Sequence, residues 1–145
     1  MPTTLGKPFS ISWRGRVPHM LKPDIPVWYR FLILYGEPFR KLYYDCLLGG
    51  ETYTPEQLKD PMQRMAQSLS GKRADAIAEL DDELWIIEVS SDPGLRSLGQ
   101  LQTYRVLWLR DPIIRKPERL VLVCETIEKD LLDAASTYGL TIYVV

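Results

Sequence analysis

Arg73-Ala-Asp-Ala-Ile-Ala-Glu-Leu80, Asp81-Asp-Glu83 and Leu84-Trp-Ile-Ile-Glu-Val-Ser90 follow one another in the middle of the chain. Two apolar stretches joined by so short and polar a link read as a β-hairpin. One acid, Asp75, sits early in the first strand, and a second, Glu88, sits late in the next, among residues that otherwise favour burial. Side chains alternate along a strand. Ile86, Glu88 and Ser90 therefore share one face of the second strand, and Trp85, Ile87 and Val89 share the other. On the first strand Asp75, Ile77 and Glu79 share a face, flanked by Arg73. If the two acid-bearing faces coincide, the carboxylates converge near one end of the sheet. Buried carboxylates are costly unless paired, hydrogen-bonded or bound to metal.

Asp75 and Glu88 together with a backbone carbonyl, for which Val89 is the natural candidate, leave several coordination positions to water. That suits Mg²⁺, which keeps much of its hydration and is held by few protein ligands. Such an ion polarises a phosphoryl oxygen and lowers the pKa of an attacking water. A cation beside the metal normally orients that water or stabilises the developing charge. Ser90 stands where that cation would project, and serine brings no charge. Lys72 and Arg73, at the start of the first strand, and Arg96, on the helix that follows, are the substitutes within reach. Arg96, Gln100 and Tyr104 recur at four-residue spacing and so stack on one helix face. With Arg73, this stripe suits contact with a phosphate backbone or stacked bases. Each feature alone has a plainer reading. Glu88 is then a strand-end acid reaching solvent, Asp75 a partner in a surface ion pair, and Gln100 and Tyr104 the polar shoulder of an amphipathic helix. Their joint order and spacing favour the site.

Outward from the hairpin, the pattern alternates strands and helices. Residues 1–23 hold four prolines and read as an extended arm, with one short strand at Phe9–Trp13. Asp24-Ile-Pro-Val opens a helix with Asp24 as N-cap and Gly36 beyond its end, burying Val27, Phe31 and Leu34 with Trp28, Leu32 and Tyr35 beside them. Lys41–Leu48 reads as a strand ended by Gly49-Gly50. Thr54-Pro-Glu-Gln starts a helical region, interrupted or restarted at Pro61 and ended by Gly71. Leu95–Leu109 is a helix, Arg119–Cys124 a strand, Ile127–Tyr138 a helix capped by Thr126, and Leu140–Val145 a last strand. This order predicts a single α/β domain over residues 24–145, with a mixed sheet of one antiparallel hairpin followed by helical crossovers.

Composition narrows the function classes. With 145 residues, 46% hydrophobic and 26% charged, the chain can bury a core. A net charge of −1 argues against the broad basic footprint of a dedicated nucleic-acid binder, though not against a local basic groove. The two cysteines, Cys46 and Cys124, lie in apolar strands without metal-like spacing and read as reduced, buried thiols. The single histidine, His19, lies in a proline-flanked segment and reads as a surface or loop residue. There is no signal-peptide pattern at the start, and the longest apolar run, Val27–Tyr35, carries Arg30. A soluble, cytoplasmic protein is expected, or one carried inside an assembly such as a phage particle, with no membrane association.

Asp75, a short link, Glu88-Val-Ser90 and Gln100-Leu-Gln-Thr-Tyr104 together resemble the PD-(D/E)XK nuclease superfamily, restriction-endonuclease-like in fold. The RecB-like branch, whose glutamate motif precedes a helix bearing Gln-x-x-x-Tyr, is the nearest match. The element order from Asp24 to Cys124 resembles that family's αβββαβ core, leaving a C-terminal helix and strand as an addition. The resemblance implies metal ligation by Asp75 and Glu88, and Gln100 and Tyr104 lining the DNA-facing side. The motif lysine has no counterpart, because Ser90 stands there, and Ala74 replaces the usual proline. The resemblance thus implies a nuclease-like domain, impaired or inactive, serving as a DNA-associated or assembly module. Its arm would hold protein partners or a second copy. The alternative is an active nuclease using Mg²⁺ or Mn²⁺, with the catalytic cation relocated to Lys72 or Arg96; an inactive site needs no metal.

Overall fold

The computed structural model describes residues 3–50 and 52–145, and for residues 68–70 the backbone alone. Helix α1 covers Asp24–Tyr35 and strand β1 Lys41–Leu48, followed by a 3₁₀ turn at Gln57–Lys59 and helix α2 at Pro61–Ser70. The hairpin is β2, Lys72–Glu79, and β3, Leu84–Val89. Helix α3 (Leu95–Arg110), β4 (Glu118–Cys124), α4 (Lys129–Thr137) and β5 (Thr141–Val144) complete the order. The strands form one mixed sheet in the order β1-β2-β3-β4-β5. β1–β2 and β2–β3 are antiparallel, and β3–β4 and β4–β5 are parallel. Parallel neighbours require crossovers, and α3 and α4 supply them.

Each face of the sheet is covered, which is why every residue of β3 is buried. One core joins Ile77, Ile86, Leu120 and Leu122 to Leu101, Tyr104 and Trp108 of α3 and to Leu131 and Ala135 of α4. The other joins Ala76, Ile87, Val121 and Val123 to Val27, Trp28 and Phe31 of α1. Trp28 is fully buried, and its indole N–H donates to the Tyr44 hydroxyl at 2.8 Å, so neither polar group is stranded.

The arm lies along the outer edge of β1. Residues 1 and 2 are outside the described part. Thr4 and Leu47 exchange backbone hydrogen bonds at 2.9 and 3.1 Å, and the Phe9 N–H donates to the Leu42 carbonyl at 2.7 Å. The expected strand at Phe9–Trp13 does not form. The chain turns at Ser10–Trp13, where the Trp13 N–H reaches the Ser10 carbonyl. The turn lets Phe9 and Trp13 meet each other and Tyr44 as an aromatic cluster, which an extended strand would separate. The arm therefore covers its own sheet edge, a usual protection against edge pairing, and its backbone bonds at Thr4 and Phe9 are spent within the chain.

Capping differs from expectation in two places. Asp24 is the first residue of α1 rather than its N-cap; Pro23 holds that place, and the Asp24 carboxylate is used elsewhere. Thr126 does not cap α4, which starts after Glu128; its hydroxyl turns to Ser91 and Asp92. Leu34 and Tyr35 are both exposed at the end of α1, Tyr35 keeping ring contacts with Phe31 and Tyr143 at the margin of the core. Thr54 does form a capping box with Gln57, their side chains and N–H groups bonding reciprocally at 2.8 and 3.2 Å. The residue before a proline is pushed into extended conformation. Asp60 accordingly has ψ 121° and restarts the helix as N-cap of α2, accepting from the Met62 N–H at 3.0 Å. Asp60→Ala is expected to cost about 1 kcal/mol, read as a lower urea midpoint at unchanged slope.

Cys46 and Cys124 are buried and free, and burial pushes their thiols up to about 12 and about 11. They are thus unreactive packing groups. No helix among the described residues is long and apolar enough to cross a membrane.

Candidate functional site

The β2–β3 ladder pairs Ile77 with Ile86 and Ala76 with Ile87. One further step brings Asp75 opposite Glu88. There the ladder stops, because the Asp75 carboxylate replaces a backbone partner and accepts the Val89 N–H at 2.8 Å. The two acid-bearing faces do coincide. Ile77 and Ile86, the neighbours of the acids on those faces, both belong to the α3-side core.

The alternation is not uniform, however. Leu42 and Tyr44 of β1 belong to the α1-side core, whereas Tyr43 and then Cys46 and Leu48 belong to the α3-side core. β2 changes phase opposite this point: Ala76 and Ala78 belong to the α1-side core, Ala74 to the α3-side core. Asp45 lies at the change with φ +50°, a left-handed backbone. Register is kept across it, since Tyr44 pairs with Ala76 and Cys46 with Ala74. Arg73 consequently leaves the acid face. It is exposed and donates to the Asp45 carbonyl and carboxylate at 3.3 and 3.2 Å.

Asp75 and Glu88 stand within hydrogen-bonding reach of each other. Glu88 is 7% exposed and accepts the Tyr104 hydroxyl at 3.2 Å. Burial pushes the Glu88 carboxyl far above its ordinary range, and the charges of Asp75 and then Asp24 push the same way. Burial also raises Asp75, against the lowering effect of its bonds from Glu88 and the Val89 N–H. Two like charges so close and so dry cannot both persist. The pair therefore keeps a shared proton unless a cation replaces it. Burial, followed by the Glu88 and Asp75 charges, raises the Tyr104 phenol as well, so it stays a donor to Glu88.

A cleft of about 440 Å³ opens on this pair, lined also by Ser90, Arg96 and Gln100. An adjoining cleft of about 480 Å³ is lined by Lys72, Arg73, Arg96, Gln100 and Tyr104. Asp75, Glu88, Val89, Ser90, Arg96 and Gln100 are thus brought together, while Lys72 and Arg73 stand in the neighbouring cleft. Arg96 and Gln100 line both. The Tyr104 ring is 4% exposed, leaving little area for a stacked base; what Tyr104 does here is hold Glu88.

Two further residues belong to the site. Asp24, 7% exposed, lines the acid cleft, and its carboxylate accepts the Ser91 N–H at 2.8 Å, tying α1 to the end of β3. In the sequence it looks like any helix-starting aspartate. His19 lines the same cleft with φ +58°, and its Nε2 lies 3.4 Å from the Asp45 carboxylate. A left-handed backbone costs a non-glycine residue about 1–2 kcal/mol. Pro18-His19 within a Val17–Met20 turn was the sequence signal for His19, since a proline at the second turn position often precedes a left-handed third.

Asp75 and Glu88 are the side chains that could hold a cation. Among the described residues, no group of three or more His, Cys, Asp or Glu side chains is arranged to hold a metal ion. A site of two carboxylates completed by water fits a hard, strongly hydrated ion rather than zinc. No protein-family model, no curated protein and no solved structure matches this chain.

Proposed function

We propose that this chain is a nuclease-like domain of the PD-(D/E)XK type that binds a divalent cation and a nucleic-acid backbone but is impaired or inactive in cutting. The observation that carries this reading is the convergence of Asp75 and Glu88, from adjacent strands, in a cleft open to solvent. Two facing carboxyls destabilise a fold that has no use for them. The sheet supports the reading too: with α2 set aside as an insertion between β1 and β2, a helix, three antiparallel strands, a crossover helix and a parallel fourth strand follow the αβββαβ order of that superfamily.

Bound at the pair, a divalent cation supplies Lewis acidity toward a phosphoryl oxygen. The chain's own residues do the rest. Asp75 is fixed by the Val89 N–H, and Glu88 by Tyr104. Arg96 and Gln100 stand between the two clefts, where a phosphate backbone would pass from one to the other. Ser90 lines the cleft without a charge, so no ammonium polarises an attacking water. The arm is bound to its own sheet edge, which favours a DNA-associated module over one assembled through the arm.

A second reading rests on Arg96. It lines both clefts, whereas Lys72 lines only the second, so its guanidinium is the replacement for the missing ammonium in an active Mg²⁺-dependent nuclease. One set of measurements separates the readings. Calorimetry is expected to show Mg²⁺ and Ca²⁺ binding to the wild type and none to Asp75→Ala. Labelled linear DNA is expected to bind in Ca²⁺ and to stay largely uncut in Mg²⁺ or Mn²⁺. Brisk cleavage that depends on Asp75 and Arg96 supports the active form, and absence of both cation and DNA binding overturns the nuclease-like reading.

A further inference from the structure

His19 and Asp45 are the non-glycine residues with left-handed backbone among the described residues, and they are paired with each other. They come from different segments, the arm and β1, and of the two His19 lines the acid cleft. Strained backbone of this kind concentrates at functional sites, because the surroundings must hold it in place.

The surroundings are specific. His19 is the third residue of a turn closed by the Met20 N–H on the Val17 carbonyl, with Pro18 second. Glycine or asparagine normally fills that third position. Val17 and Met20 on either side are buried, so the turn is clamped at both ends while the imidazole remains 76% exposed. Asp45 is the opposite case: its side chain is 17% exposed and is shared between His19 and Arg73. A turn clamped at both ends, a half-buried carboxylate behind the ring and an open front describe a ring presented to something outside the fold. Packing does not require it.

The charges around it say what that partner is. Asp45 of β1 faces the ring directly, and Arg73 of β2 sits on the same carboxylate. Across the cleft stand Asp24 of α1, Asp75 of β2, Glu88 of β3 and Arg96 of α3. The cleft is thus acidic within, and His19 and Arg96 are its lining side chains able to carry positive charge. An anion bridging to a cation on the acid pair would be met by these two.

We propose that His19, held by Asp45, contacts a phosphate of the bound nucleic acid as an imidazolium at the mouth of the Asp75–Glu88 cleft. This rests on the nuclease-like reading and assigns to the arm the positive charge that Ser90 does not bring. It also gives the arm a role in the site beyond covering β1.

The test compares wild type with His19→Asn, since asparagine tolerates the left-handed backbone and carries no charge. Histidine changes charge between pH 5 and 8. With saturating Ca²⁺, wild-type affinity for a fluorescent single-stranded DNA is expected to fall between pH 6 and pH 8 by roughly tenfold more than that of the variant. Saturating Ca²⁺ keeps the acid pair occupied in both proteins, so a difference in pH dependence is assigned to the ring. Equal pH dependence in the two proteins overturns the proposal. If neither binds DNA at any pH, the nuclease-like reading fails, and His19 is judged by nuclear magnetic resonance on wild type alone. The chain has one histidine, so its imidazole signals are unambiguous. A saturable shift on adding inorganic phosphate at pH 6, weaker at pH 8, supports an anion site at His19; no shift overturns it.

Discussion

Glu88→Gln is expected to raise the melting temperature at pH 8 by roughly 5–10 °C and to abolish stabilisation by Mg²⁺. The direction follows from the Glu88 carboxyl, which burial holds far above its ordinary range. A carboxyl raised in the folded state favours folding fully while the unfolded chain is also protonated, below about pH 4. That contribution is lost as the pH climbs toward the folded value. At pH 8 the wild type therefore carries the unfavourable choice between a retained proton and two facing charges. Glutamine keeps the shape, accepts from Tyr104, donates to Asp75 and removes the charge. The gain is about 2–3 kcal/mol at pH 8 and vanishes near pH 4. Mg²⁺ acts oppositely on the two proteins. It binds the deprotonated pair and raises the wild-type melting temperature by a few degrees, more at pH 8 than at pH 6, while the variant does not respond. Scanning calorimetry across pH, with and without Mg²⁺, reads all of this. A variant that melts below the wild type at pH 8 would mean that the two carboxyls are not close and dry.

Ser90→Lys is expected to cut linear DNA in Mg²⁺ at least hundredfold faster than the wild type. Residue 90 is half-buried and lines the acid cleft, and its N–H is held by the Val123 carbonyl at 3.0 Å, so the backbone there is anchored beside the pair. A lysine at that position has Asp75 and Glu88 close by to stabilise its charge. One preorganised cation or donor at a developing charge changes rates by about 10²–10³. Ser90→Lys combined with Asp75→Ala is expected to be silent, which ties the gained activity to this site rather than to a contaminant. A single variant that binds cation and DNA yet cuts no faster would show that the missing ammonium is not what impairs the wild type.

Much of this was legible in the sequence for a local reason. Alternation and a short polar link identified the β2–β3 hairpin, and the four-residue stripe of Arg96, Gln100 and Tyr104 placed those side chains on one face of α3. Strand β1 is bounded by Gly49-Gly50, and its observed range, Lys41–Leu48, is the expected one. Where expectation missed, a distant partner decided. Asp24 had the look of a cap until Ser91, far along the chain, took its carboxylate. Thr126 likewise went to Ser91 and Asp92. Phe9 and Trp13 folded onto Tyr44 instead of extending.

By itself the sequence determined the α/β class, the strand that carries each acid and the absence of a lysine at Ser90, because periodicity and residue chemistry are local properties. Only the tertiary structure decided that Asp75 meets Glu88, that Arg73 swings to Asp45, and that Asp24 and His19 join the same cleft. Those meetings depend on a phase change at Asp45 and on contacts between segments far apart in the chain, and no local pattern encodes which distant groups the packed core brings together.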